Sequence, residues 1–142
     1  MLIGIPDIIS PELLKILSDM GHGDEIVLAD ANFPAASNAK RLVRADGIKI
    51  PDLLSAILEL FPLDQYDDEN FILMQKCEGD NADVSVLEEY KQISEQKSSY
   101  CRFTFCERFD YYERAKNAYA IVATGEKRQY ANIILKKGCI LD

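Results

Sequence analysis

Four short stretches of the chain carry side chains suited to proton transfer or to gripping a ligand rich in hydroxyls. The first is Met20-Gly21-His22-Gly23-Asp24-Glu25, which holds the chain's one histidine. The flanking glycines remove bulk, so a ligand can approach the imidazole closely. Imidazole is also the side chain best matched to proton transfer near neutral pH. The bland alternative, a histidine bonded to backbone in a tight turn, weighs as much, because one histidine alone is thin evidence. The second is Asp30, at the end of the apolar run Glu25-Ile26-Val27-Leu28-Ala29. In open α/β sheets ligands collect beyond the carboxyl ends of strands. The short separation from His22 leads to the expectation that both side chains share one cleft, with Asp30 orienting the imidazole or binding a hydroxyl. Taken alone, Asp30 reads better as a loop-capping residue ahead of Pro34.

The third stretch is Glu107-Arg108-Phe109, followed by Tyr111-Tyr112-Glu113-Arg114. The planar guanidinium of Arg108 presents a fork of donors for hydroxyls or carboxylates. Phe109, Tyr112 and the Glu113–Arg114 pair fit better as an amphipathic helix with an aromatic core stripe and surface ion pairs. The fourth is Tyr130-Ala131-Asn132. Tyr and Asn both donate and accept hydrogen bonds, as recognition of a carbohydrate requires; a simple strand-entry turn is the alternative.

Alternating helices and strands position these residues. Ser10 caps a helix that opens at Pro11 and carries Leu13, Leu14, Ile16, Leu17 and Met20 on one face, with Gly21 as its stop. Glu25–Asp30 is a buried strand, broken into a loop by Asn32-Phe33-Pro34. Arg41–Asp46 is a weaker strand. A second helix starts at Pro51 and runs through Phe61. Phe71–Met74 is a buried strand, Val84–Gln96 a polar surface helix, Tyr100–Phe105 a strand, and Arg108–Ala118 a helix. The last strands are Ala120–Ala123 and Ile133–Leu135. This alternation predicts a single compact α/β domain over 1–142, a central sheet flanked by helices.

Composition narrows the function classes. The chain has 142 residues, enough for one domain with its own core. Sixteen Lys and Arg against 24 Asp and Glu give a formal net charge of −8. Such a chain repels a phosphate backbone and anionic lipid, which argues against nucleic-acid and membrane partners. No apolar run reaches the length of a membrane span. No export-type segment is visible, so a cytoplasmic protein with reduced cysteines is expected. Cys77, Cys101, Cys106 and Cys139 form no C-x-x-C pair, so a zinc site is poorly supported. Dinucleotide, P-loop, nucleophile-elbow and H-E-x-x-H signatures are all missing.

Several longer motifs say more. Ser10-Pro11-Glu12-Leu13-Leu14, Met20–Ile26, Asp30-Ala31-Asn32-Phe33-Pro34, Arg44-Ala45-Asp46-Gly47 and Tyr112-Glu113-Arg114-Ala115 occur in that order. Ala123-Thr124-Gly125-Glu126, Tyr130-Ala131-Asn132-Ile133 and Lys136-Lys137-Gly138 follow. Together they resemble the fucose mutarotase and ribose pyranase family (the FucU/RbsD type), from Ile9 to Gly138, with the weakest match over 64–99. Arg108 stands where fucose-type members carry Arg and ribose-type members tend to carry His. Ala131 departs from the Gly common in the family, and an added methyl there is expected either to narrow the pocket or to alter a backbone contact.

The resemblance implies an enzyme without metal or cofactor that interconverts sugar anomers, most closely those of L-fucose. It also implies a ring-like homo-oligomer, typically a decamer, with sites near subunit contacts. Ring opening needs a proton delivered to the ring oxygen and one removed from the anomeric hydroxyl, with roles reversed on closing. By resemblance His22 is the proton donor, Asp30 assists catalysis and binds sugar, and Arg108, Tyr130, Ala131 and Asn132 hold the substrate. Two other readings stand beside it: D-ribose pyranase activity, and a non-catalytic sugar-binding accessory of transport.

Overall fold

The computed structural model describes residues 1–141. Among them five helices alternate with six strands: α1 (Pro11–Asp19), β1 (Glu25–Ala29), α2 (Ala35–Asn38), β2 (Leu42–Ala45), α3 (Ile50–Leu58), β3 (Phe71–Met74), α4 (Val86–Lys97), β4 (Phe103–Cys106), α5 (Arg108–Asn117), β5 (Ala120–Thr124) and β6 (Ile133–Lys136). The strands form one sheet in the order β2-β5-β1-β6-β3-β4. β6 runs antiparallel to both of its neighbours, β1 and β3. The other five strands point the same way. Their carboxyl ends therefore share one edge of the molecule.

Strand periodicity divides the core between two faces. Ile26 and Leu28 pack with α1, α3 and α4 on one face. Val27 and Ala29 pack with Phe33, Ala35, Tyr111 and Ala115 on the other. The α/β expectation holds, as a three-layer arrangement with helices on both faces of the sheet.

Local chemistry accounts for most boundaries. Ser10 Oγ accepts the Leu13 amide at 3.1 Å and Pro11 occupies the first turn of α1. The helix ends at Met20, whose backbone is extended, rather than at Gly21. Glu107 caps α5 by accepting the amides of Phe109 and Asp110. The loop expected after Asn32-Phe33-Pro34 contains the single turn α2, in which Ala35 is buried.

Two expectations about α5 are corrected. Its core aromatic is Tyr111, which is fully buried, whereas Phe109 is 68% exposed. Tyr112 is only partly buried and packs at the margin of the second cluster. Arg114 pairs across the fold with Glu25 and Glu69 instead of with its neighbour Glu113. Tertiary ion pairing outweighs the local one because Arg114 binds Glu25 through two nitrogens, Nε and Nη2.

Candidate functional site

The carboxyl edge of the parallel strands carries a cleft of about 240 Å³. Asp30 enters it from the end of β1, Met74 from β3, Arg108 from the start of α5, and Tyr130 and Asn132 from the approach to β6. Phe33, Tyr112, Cys77 and Asp80 complete much of its wall. Four of the residues singled out from sequence thus meet in one place, although Asp30 and Asn132 are 102 positions apart.

Asp30 is fixed by the turn that ends β1. Its Oδ1 accepts the Asn32 amide at 2.9 Å. Its own amide donates to Asn132 Oδ1 at 2.7 Å. That bond assigns the Asn132 side chain: the oxygen is taken, and the NH2 is the donor it can offer a ligand. Burial pushes the Asp30 carboxyl above the ordinary carboxylate range, against the opposing bonds from Asn32 and Phe33. Arg108 lies with its guanidinium carbon 5.5 Å from the Phe109 ring centre and 5.8 Å from that of Tyr112. Phe33 and Tyr112 stand 5.5 Å apart and give the cleft an apolar side.

Tyr130 and Ala131 differ from what the sequence suggested. The Tyr130 hydroxyl is no free donor, because it already donates to Asp80 Oδ2 at 2.6 Å. Ala131 is fully buried in the first core cluster. Its carbonyl accepts the Tyr90 hydroxyl at 2.6 Å. The extra methyl therefore packs into the core and does not narrow the cleft.

His22 is elsewhere. It precedes β1, whereas Asp30 follows it, so the strand's five residues lie between them. At about 3.3 Å per residue the two side chains are held apart by roughly 17 Å of strand. The expectation that one cleft of one chain holds both is overturned by the rigidity of a central strand. Asp30 cannot orient this imidazole within the same chain.

Asp64 takes that part. His22 Nε2 lies 3.0 Å from Asp64 Oδ1, and the carboxylate is buried while the ring is 46% exposed. An ionised carboxylate only accepts, so Nε2 carries the proton and Nδ1 keeps its lone pair free. Burial raises the Asp64 carboxyl, but the Tyr66 amide and His22 outweigh it and hold the group below its ordinary range. The Tyr66 ring lies tilted beside the imidazole, with centroids 5.5 Å apart. Gly23 closes the turn from the far side, donating its amide to Lys137 O at 2.8 Å with φ +87°. Asp64 and Tyr66 escaped the sequence reading because their partner is 42 positions away. The one local sign was an Asp two residues before Tyr66, an Asx-turn spacing.

Among the described residues no group of three or more His, Cys, Asp or Glu side chains is arranged to hold a metal ion. Among the described residues no helix is long and apolar enough to cross a membrane. All four cysteines are free, with Cys77 exposed at the cleft and the other three partly buried.

Comparison with known proteins adds to this geometry. Residues 3–140 match the RbsD / FucU transport protein family. An L-fucose mutarotase of Haemophilus influenzae is 52% identical over 139 residues, covering 97% of this chain and 96% of that protein. A fucose mutarotase of Danio rerio is 50% identical, covering 96% of this chain and 93% of its own length. The crystal structure of a fucose mutarotase from Streptococcus pneumoniae in complex with L-fucose superposes with a TM-score of 0.93. It is 53% identical and covers 99% of this chain and 100% of that one.

Proposed function

The chain belongs to the RbsD/FucU family, and from that membership we propose that it is an L-fucose mutarotase. It interconverts the α and β anomers by general acid–base catalysis. The observation that carries this reading is the cleft itself, where Asp30, Arg108, Tyr130 and Asn132 converge at the carboxyl edge of the sheet. Residues 1–142 act as one domain.

The cleft suits a 6-deoxy sugar. Arg108 and the Asn132 amide offer donors to ring hydroxyls, and Asp30 offers an acceptor. Phe33, Tyr112 and Met74 give an apolar wall for the C6 methyl. Held this way, the anomeric carbon has a fixed place relative to the catalytic groups. As the ring opens, neutral His22 uses Nδ1 to take the anomeric hydroxyl proton, and its protonated form delivers that proton to the ring oxygen; on closure it takes the proton back from the resulting hydroxyl and returns it to the carbonyl oxygen. Asp64 stabilises the imidazolium that forms between these steps.

Because His22 and Asp30 sit at opposite ends of β1, one sugar can meet both only if the two come from different copies of the chain. A head-to-tail contact of this kind closes into a ring when the rotation allows. Both surfaces carry exposed apolar side chains suited to it: Phe109 beside Arg108, and Tyr66 and Ile140 beside His22. A homo-oligomer, a decamer by family resemblance, located in the cytoplasm, completes the proposal. No metal or cofactor has a part in it.

The test is NMR exchange between the α and β H1 signals of L-fucose at equilibrium, with D-ribose alongside and His22→Ala as control. Exchange on L-fucose that disappears in the variant supports the reading. Exchange on ribose alone makes the chain a pyranase. Binding without exchange on either sugar leaves an accessory sugar-binding protein.

A further inference from the structure

The loop joining β3 to α4 forms one wall of the cleft through Cys77 and Asp80. Tyr130 reaches across to it from the far side. Among the described residues Tyr130 is the one non-glycine with a left-handed backbone, at φ +58°. A bulky side chain adopts that conformation only where its surroundings impose it. The surroundings here are two hydrogen bonds to one hydroxyl. The phenol donates to Asp80 Oδ2 at 2.6 Å and accepts the Cys77 amide at 3.1 Å.

The loop is independently shaped to present these partners. The Gln75 amide donates to Cys106 O at 2.8 Å, tying the start of the loop to β4. The Asp80 amide donates to Cys77 O at 3.1 Å, across a turn that places Gly79 at φ +79°. Asp80 Oδ1 accepts the Ala82 amide at 2.9 Å, which leaves Oδ2 aimed at the phenol.

We propose that Asp80 is a positioning residue for sugar binding: by latching the Tyr130 hydroxyl it fixes both the aromatic ring and the loop wall before the sugar arrives. The consequence for Tyr130 is specific. Its one proton is spent on Asp80 and one lone pair on Cys77, so it meets the sugar as an acceptor. Each bond of the latch crosses the cleft, so losing it releases two walls at once and loosens binding without touching the proton-transfer groups. The hydrogen bond to Asp80 also pushes the Tyr130 hydroxyl up to about 12. The kinetic side of this inference rests on the mutarotase reading, while the latch itself does not.

The experiment uses the full chain with 13Cζ-labelled tyrosine, titrated by NMR with and without Asp80→Ala. Tyr130, assigned through Tyr130→Phe, is expected to titrate well above the other exposed tyrosines, and to fall toward the ordinary phenol value of about 10 in Asp80→Ala. In parallel, Asp80→Ala should raise KM for L-fucose about tenfold with kcat within about twofold, the scale of one lost charge-assisted hydrogen bond. Asp80→Asn keeps an acceptor and should recover most of the KM, and it also serves if the alanine variant misfolds. The double variant Asp80→Ala/Tyr130→Phe should be no worse than Tyr130→Phe alone. A Tyr130 titration unmoved by either Asp80 substitution overturns the latch. A moved titration with unchanged KM overturns the positioning role, and a fall in kcat at constant KM puts Asp80 in the chemistry instead. Wild-type protein without anomer exchange overturns the mutarotase reading while leaving the titration result to stand on its own.

Discussion

His22 Nε2 sits 3.0 Å from Oδ1 of the buried Asp64, and this single pairing decides which imidazole nitrogen keeps a free lone pair. Asp64 is itself held from several sides. Its Oδ1 also accepts the Tyr66 amide at 3.0 Å, and its backbone carbonyl accepts Asn70 Nδ2 at 2.9 Å. Arg102 pins the same loop by donating to the carbonyls of Gln65 and Asp67. The imidazole is thus mounted on a braced loop even though its own ring is half exposed.

Asp64→Asn keeps the shape and removes the charge. It should lower kcat about a hundredfold with little change in KM, because the imidazolium loses its counter-charge and the tautomer is no longer enforced. Steady-state NMR exchange rates against fucose concentration check this. The same substitution changes acid stability. The Asp64 carboxyl is depressed in the folded state, so its contribution is present above the unfolded value near 4 and is lost as pH falls toward the depressed one. Denaturation midpoints of Asp64→Asn should therefore be less sensitive to pH below about 4 than those of the wild type.

Asp30→Asn should behave in the opposite sense. The folded-state carboxyl of Asp30 is raised by burial, so its ionised form opposes folding at neutral pH. That penalty disappears as pH falls through the raised value. An asparagine keeps the bond from the Asn32 amide without the buried charge. Melting at pH 7 should show a gain of about 1 kcal/mol together with loss of mutarotation, the trade-off expected of a functional carboxylate. A neutral or negative change in stability would remove burial as the source of the shift.

Gly138→Ala tests the mounting of Asp64 from outside. A Cβ at this position would lie 2.4 Å from the Leu63 carbonyl oxygen and 2.8 Å from the Asp64 Cα. Both are backbone atoms, so the segment carrying Asp64 must move. The variant should lose about 1–3 kcal/mol of stability, as overpacked sites do. Its kcat should fall at temperatures where it remains folded. Full activity with only a stability loss would show that His22 tolerates displacement of Asp64.

Much of this was legible along the chain, and the reasons for the rest are physical. Ser10-Pro11 and the apolar runs of β1, β3, β5 and β6 declared themselves because capping and burial are local. α2 did not, since a single turn of four residues has no periodicity to read. Tyr111 and Tyr112 exchanged burial with respect to expectation because adjacent aromatics fix a helix face only once the sheet is known. His22, Asp30, Arg108, Tyr130 and Asn132 were named from residue type and resemblance. What sequence distance suggested wrongly was that His22 and Asp30 are neighbours, because an eight-residue gap spans a fully extended strand. Asp64 and Asp80, which hold His22 and Tyr130, were invisible because both bonds join segments more than 40 positions apart.

The most direct test of a site shared between two copies is subunit mixing. His22→Ala and Asp30→Asn should each be inactive alone. Assembled together by co-refolding at equal amounts, one interface in four pairs an intact His22 with an intact Asp30, so about a quarter of the wild-type exchange rate on L-fucose should return. Mixed oligomers that form, as verified by native mass spectrometry, yet stay inactive would contradict a composite site and return both residues to separate roles within one chain.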